Sequence, residues 1–486
     1  MLKKTSLLLC ALLLALQAST AAQDAMTVLN NASKAMGLDN VKTIKYTATG
    51  STFSIGQSYQ AGRPYPRNTI KKFVRDFDLE NFMVRQEFVT VRAEERGGAQ
   101  PIAVGAESTQ VQYVNSTANW PAHVFMWLTP PGFIKGAMKN NPTLSTETVK
   151  GKRYNVVTVR LQNKYTVKGY FTEQNLMDKV ETALDNHIVL GDAPLDGVFE
   201  NYKDFNGVKF PAHVYHNMGL VLSFDFHITD FQANVPVDVQ PPPPQAGRGG
   251  GPGGAAGGAP QQAGLPTQKI GEGVYYITGG THYSVAVEFN DHIAVIDGPL
   301  NAARSEAVMA EVRKLIPNKP IRYLINTHHH FDHAHGIRAY AGEGATIVTY
   351  PGNRDFYEKW WAIPRSLVPD KLSQSGKKAS FETVSDKKIL TDGTQRLEIY
   401  VVKDNIHAEG MLMVYLPREK TLVEVDLYTP PAPNGEGPPQ AYPLSLVRNI
   451  ERNKLDVQQI IPLRGPGKPV QRAELFQAAG RTASTN

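Results

Sequence analysis

His328, His329, His330, Asp332 and His333 fall within six consecutive residues, in the run Thr327-His328-His329-His330-Phe331-Asp332-His333-Ala334-His335-Gly336. Imidazole nitrogens and carboxylate oxygens are donors that hold zinc and related metals. If the segment is extended, the side chains at 328 and 330 share a direction. A turn at 332 and 333 then carries those two side chains to a second position close by. The spacing predicts a metal site in two halves, His328 with His330 and Asp332 with His333. Cys10 is the only cysteine and lies in the leader described below, so thiolate ligands and disulfides are excluded from the mature chain.

The elements around this run must present it. The apolar stretch Ile321-Arg322-Tyr323-Leu324-Ile325 predicts a buried strand whose end carries the loop. One loop cannot enclose a zinc ion, which takes about four ligands, about three of them protein groups in a catalytic site. A distant ligand is needed. Strands predicted over residues 397–402 and 411–416 place His407 on the connection between them, and a strand over 422–426 ends in Asp426. Short strands over 274–277, 284–289, 292–296 and 345–349, with helices over 303–315 and 337–340, give the strand–helix alternation of a layered α/β domain.

The His-x-His-x-Asp-His pattern after a strand resembles the metallo-β-lactamase superfamily of metal-dependent hydrolases, and the order of elements over residues 270–475 is similar to the family's. The resemblance implies an αβ/βα sandwich with His328, His330 and His407 at one zinc site. Asp426 would bridge to a second site shared with Asp332 and His333. It also implies a zinc-activated water acting on an ester, lactone, amide, phosphodiester or sulfate, with Asp332 orienting that water or taking its proton. The family closes its second site with a C-terminal histidine, but here Arg464 stands in the matching run Ile460-Ile461-Pro462-Leu463-Arg464-Gly465. A guanidinium has no lone pair to donate. The expectation is one zinc ion, with Arg464 acting in catalysis by replacing the second ion's charge, unless His335 supplies the missing ligand. Three other residues take places around the site: His282 on an overhanging hairpin, Asp297 orienting a ligand histidine or the loop, and His329 turned away from its neighbours. An alternative of a different class is a non-catalytic binding module, its degenerate metal domain accompanying an N-terminal domain that holds a hydrophobic ligand or envelope component.

The remainder bounds the setting. At 486 residues, 41% apolar and 20% charged, the chain is a globular protein of at least two domains. Its net charge of +6 includes Lys3 and Lys4, and no long basic run points to nucleic acid. Residues 1–22 combine those lysines, an apolar core and small residues, which predicts a signal peptide and a periplasmic or secreted protein; no later stretch predicts a membrane span. Residues 23–238 predict an antiparallel β domain, a curved sheet with a helix over 25–36. Its strands are expected over 43–53, 82–92, 154–161, 165–172, 208–216 and 220–228, with a hairpin at Asn206-Gly207. This order is similar to that of periplasmic lipoprotein-carrier domains.

Trp120, Phe125 and Trp127 with Pro130-Pro131 read as a core cluster or as the wall of a groove for a hydrophobic ligand. His123, His187, His213, His216 and His227 read as surface or hydrogen-bonded residues. The Pro/Gly-rich tract over 239–268 predicts a linker that lets the domains reorient, followed by the metal domain over 269–486. Within that domain Phe356, Tyr357, Trp360 and Trp361 read as a helical stripe facing the core or as a wall of the substrate cleft, and residues 364–380 as a loop near the cleft mouth.

Overall fold

The computed structural model describes residues 25–98, 103–187, 191–219, 221–241, 264–431 and 440–481. The predicted signal peptide and most of the predicted linker lie outside the described residues. Among the described residues, eleven strands form one antiparallel sheet between the edge strands Glu107–Val114 and Thr143–Val149. The first strand, Thr43–Phe53, pairs with the last, Val221–Ala233, so the two ends of the domain meet in the middle of the sheet. At the expected hairpin Asn206 and Gly207 both take positive φ, 54° and 89°, the conformation of a tight strand-reversing turn.

One face of the sheet is covered by the helix over residues 25–36 and by helices Trp120–Trp127 and Pro130–Met138. Leu29, Ala32 and Met36 are fully buried there, and Trp120 and Trp127 lie in the same core. Strand Arg67–Asp78 escaped the sequence reading because charged residues fall on both faces: Lys72 pairs with Glu87, while Arg75 is buried against Tyr46 and Gln86.

The C-terminal part is a two-sheet sandwich. Its first sheet has seven strands among the described residues: antiparallel hairpins from Thr267–Gly271 to Ile293–Ile296, then parallel strands Ile321–Ile325, Thr346–Thr349 and Ser380–Thr383. The second runs from Lys387–Thr391 to Val470–Gln471. The inner faces meet through Val285, Ile296 and Ile325 on one side and Leu397, Val414, Leu422 and Ile460 on the other. Helices Ala302–Leu315, Ile337–Glu343 and Pro351–Trp361 cover the first sheet, and Ala441–Arg452 and Arg472–Ala478 cover the second. The order helix–sheet–sheet–helix is the sandwich expected. Phe356 and Tyr357 are buried, as their spacing predicts.

The two parts are docked, which differs from the free reorientation expected of a Pro/Gly tether. The loop over residues 54–66, between strands Thr43–Phe53 and Arg67–Asp78, reaches the His loop, where the Phe331 N–H donates to the Gly56 carbonyl at 3.1 Å. A second contact forms where Asp192 accepts from Ser366 N and Oγ at 2.7 and 2.6 Å. A tether's composition carries no information about such loop contacts, so the sequence could not reveal them.

Residues 364–380 contain the short helix Lys371–Ser375, capped by Asp370. Arg338, buried just after the His loop, forks onto Asp370 with Nε and Nη2 at 2.7 and 3.0 Å, and Arg365 lies 3.5 Å from the same carboxylate. Burial would raise the Asp370 carboxyl, but its hydrogen bonds from Arg338 and Ser373 and the charge of Arg365 hold it at about 2. A depressed folded-state value contributes stability above the unfolded value near 4 and loses it as pH falls toward 2. Asp370→Asn is therefore expected to cost about 2 to 3 kcal/mol at pH 7, below the cost of breaking a fully buried pair because Asp370 is 23% exposed. Urea unfolding from pH 7 to 2 checks this, with the two proteins converging in stability at the acid end.

Candidate metal centre

Strand Ile321–Ile325 ends at Asn326, a fully buried side chain that holds the His loop in shape. Its Nδ2 donates to the carbonyls of His328 and His333 at 2.8 and 3.4 Å, and its Oδ1 accepts from Tyr357 and Thr349 at 2.8 and 3.1 Å. Asp297 lies at the end of the neighbouring parallel strand, in the left-handed region at φ 67°. Its Oδ1 accepts from Thr327 Oγ1 at 3.0 Å, and its Oδ2 holds His333 Nδ1 at 2.6 Å. That bond fixes a proton on Nδ1 and turns His333 Nε2 toward the cluster, the nitrogen that a metal would meet.

His407 comes from the opposite sheet. Its turn is fixed by Asn405, whose Oδ1 accepts from the N–H groups of His407 and Ala408 at 3.0 and 2.9 Å. Asp426 follows strand Thr421–Glu424 at φ 57°. Glu424 caps this turn by accepting from Leu427 N and Tyr428 N, each at 3.1 Å. Burial pushes its carboxyl up to about 8, so Glu424 caps the turn largely as a neutral acid near pH 7.

These elements bring His328, His330, His407 and Asp426 together as one buried group, with one donor atom from each within 4.8 Å of the others. His328 and His407 Nε2 face each other at 3.3 Å. Asp426 Oδ2 lies 3.2 Å from His407 Nε2, 3.2 Å from His333 Nε2 and 3.8 Å from His328 Nε2. Burial first, then mutual repulsion, pushes His328 and His330 well below the ordinary histidine value, so both stand neutral with lone pairs to give. His330 Nδ1, His333 Nε2 and Asp426 Oδ2 are buried without a hydrogen-bond partner. Orphaned donor atoms converging in this way fit a divalent metal ion and are costly without one.

A second group unites His282, Asp332 and His333. His282 Nε2 lies 3.4 Å from Asp332 Oδ2, and the backbones of His282 and Arg464 pair as an isolated antiparallel bridge. Arg464 Nη1 stands between two carboxylates, 3.1 Å from Asp426 Oδ1 and 3.4 Å from Asp332 Oδ2. Burial works against ionisation of both acids. It is the largest single effect on each, and the lowering groups overcome it only together: the Arg464 charge with the charge and hydrogen bond of His333 and the hydrogen bond of His407 at Asp426, and His333, the His282 bond and Arg464 at Asp332. Both carboxyls are held well below their usual range. His333 is raised by Asp297, Asp426 and Asp332 in spite of its burial.

His335 does not join either group: its ring packs on Phe331 at 5.0 Å, and His282 takes the place expected of it. His329 does turn from the cluster and is buried, its Nε2 2.8 Å from the Ser58 carbonyl oxygen. The sequence reading missed Asn326 and Ser58 altogether. Asn326 directly precedes the motif, which was its one available signal. Of the N-terminal histidines, His213 lies between Glu200 and Asp225 at 3.0 and 2.8 Å, and His216 is buried in the core, its pKa pushed down to about 3 by that burial.

Several solved structures are similar to a part of this chain. The metallo-beta-lactamase from Pontibacter korlensis is 20% identical, covering 44% of this chain and 97% of its own, with a TM-score of 0.34. That from Hirschia baltica is 21% identical, covering 45% and 97%, with a TM-score of 0.34. The metallo-beta-lactamase FIM-1 from Pseudomonas aeruginosa, in its mono-zinc form, is 21% identical and covers 46% and 96%, with a TM-score of 0.35. No curated protein matches the chain. The sequence model of the metallo-beta-lactamase superfamily matches residues 277–424, the stretch that carries His328, His330, Asp332, His333 and His407.

Proposed function

We propose that the protein is an exported metal-dependent hydrolase of a small-molecule ester, lactone, amide, phosphodiester or sulfate. The observation that carries this reading is the buried His328, His330, His407 and Asp426 group with its orphaned donor atoms. A zinc ion held there would supply Lewis-acid chemistry, acidifying a water and polarising the scissile oxygen. The chain's own groups supply the rest. Asp332, ionised and partly exposed, is placed to orient the attacking water or take its proton, and Gln57 Nε2 steadies its Oδ1 at 3.0 Å. Arg464, 14% exposed, offers positive charge to the anion that develops on the substrate. The histidines have no solvent exposure at all, so substrate approaches from the side of Asp332 and Arg464. Export rests on the leader over residues 1–22. Among the described residues no helix is long and apolar enough to cross a membrane.

Metal analysis of the purified protein, joined to a hydrolysis screen over these substrate classes, tests the reading. About one tightly held zinc ion per chain is expected. The double change His328→Ala with His407→Ala should remove nearly all of it, while His329→Ala should leave it in place. A protein that holds no metal at saturating zinc overturns the proposal, and one that holds metal without turning over any class favours the binding module.

A further inference from the structure

The loop over residues 54–66 belongs to the N-terminal sheet, yet its tip is clamped between the two segments that carry the metal-site histidines. On one side the Phe331 N–H donates to the Gly56 carbonyl at 3.1 Å, and Tyr65 packs edge-on against the Phe331 ring at 6.2 Å. On the other side the Glu409 N–H donates to the Tyr59 carbonyl at 2.6 Å, and Tyr59 Oη donates to the Asn405 carbonyl at 3.2 Å. A neighbouring loop of the same sheet adds Gly97 N–H to the Ile406 carbonyl and Gly98 N–H to the Gln57 carbonyl, each at 2.9 Å. Gln57 and Ser58 are buried at the centre of this clamp.

The Ser58 main-chain oxygen lies 3.0 Å from His330 Nε2 and 2.8 Å from His329 Nε2. A carbonyl oxygen has two lone pairs and only accepts, so both imidazoles must carry their protons on Nε2. In a neutral histidine that leaves Nδ1 bare. His329 Nδ1 and His330 Nδ1 are both buried without a partner, and of the two residues only His330 belongs to the group with His328, His407 and Asp426. Histidines that hold metals donate their other N–H to a carboxylate or carbonyl, which fixes tautomer and ring orientation. Asp297 does this for His333 from within the C-terminal domain; for His330 the acceptor comes from the other domain.

We propose that the N-terminal domain is a working part of the metal centre, its Ser58 carbonyl acting as the positioning group that holds His330 with Nδ1 free for the metal. The inference rests on the proposed metal site. It gives the large β domain a role that the binding-module reading does not: the centre is composite, and docking of the loop completes it.

Two full-length variants test this, because a carbonyl cannot be removed by a side-chain change. In the first, residues 55–65 are replaced by an Asn-Gly turn, which leaves the flanking Phe53↔Arg67 pairing to close the hairpin. The second is Gly56→Val. Gly56 has φ +80°, and a Cβ there would lie 2.2 Å from the Phe331 ring, so the loop is forced off its seat. Zinc affinity is measured by chelator competition, and the cobalt-substituted proteins are compared by visible absorption, a signature that loss of stability alone does not move. Both variants are expected to bind zinc about 10- to 100-fold more weakly, with a shifted cobalt band. Unchanged or tighter binding with an unchanged band, in the variant lacking the loop, overturns the inference. If the unaltered protein binds no metal, the proposed site itself has failed, which is a separate result.

Discussion

Replacing Arg464 by histidine is expected to raise the zinc bound at saturation from about one ion per chain toward two. Asp332 and Asp426 lean toward one point, and two ionised carboxylates in a largely buried cleft need a cation between them. The guanidinium fills that need, with Nη1 at 3.1 and 3.4 Å from the two acids. It also lies 3.4 Å from the Asp332 oxygen that belongs to the His282, Asp332 and His333 group. A second ion would sit beside a fixed positive charge. Histidine at 464 removes that charge and adds a nitrogen to a group that already holds three donors.

Arg464→Ala should lower turnover, through loss of the charge facing the substrate anion, by about 100-fold or more if the arginine acts as an anion-stabilising donor. Alanine adds no ligand in place of the arginine, so a second tightly held ion is not expected. Metal analysis of the three proteins, with kcat measured on whichever substrate the screen returns, decides the matter. Two ions in the unaltered protein, one of them lost in His282→Ala, would show that the arginine does not stand in for a metal.

The parts of this site that were legible in the sequence are those whose chemistry lies in side chains at diagnostic spacing. His328, His330, Asp332 and His333 declare themselves by type and interval, while His407 and Asp426 declare themselves by standing at the ends of predicted strands. Asp297 was placed correctly as an orienting group because it closes an apolar strand next to the one that feeds the loop. The strands themselves were read from alternation, which explains why Thr43–Phe53 is recovered at its full length. Strand Gly191–Phe205 is not, since its glycines and proline read as turns. The Ser58 contact was invisible for a different reason. A main-chain oxygen has no residue type, and its partner lies 272 positions away. His282 was seen but assigned to an overhang, because only the pairing of its backbone with Arg464 brings it to Asp332.

Asn326 was equally silent, and its replacement tests how the His loop is held. Asn326→Ala is expected to destabilise the protein by about 2 to 4 kcal/mol, since it leaves buried carbonyls and hydroxyls to find new partners. Part of the loss is recovered locally. Tyr357 Oη already lies 3.5 Å from the His328 carbonyl, which can accept its proton. Asn326→Asp keeps the shape but should cost more than alanine. The amide nitrogen that donates at 2.8 Å to the His328 carbonyl and at 3.4 Å to that of His333 becomes an oxygen facing two oxygens, and a buried charge gains no cation. The ranking native, then alanine, then aspartate is the expected order in both urea unfolding and zinc affinity, because the same bonds fix the His328 and His333 backbones. Aspartate as stable as asparagine, with zinc affinity retained, would mean that the amide donors do not hold the loop and that the strand end alone sets its course.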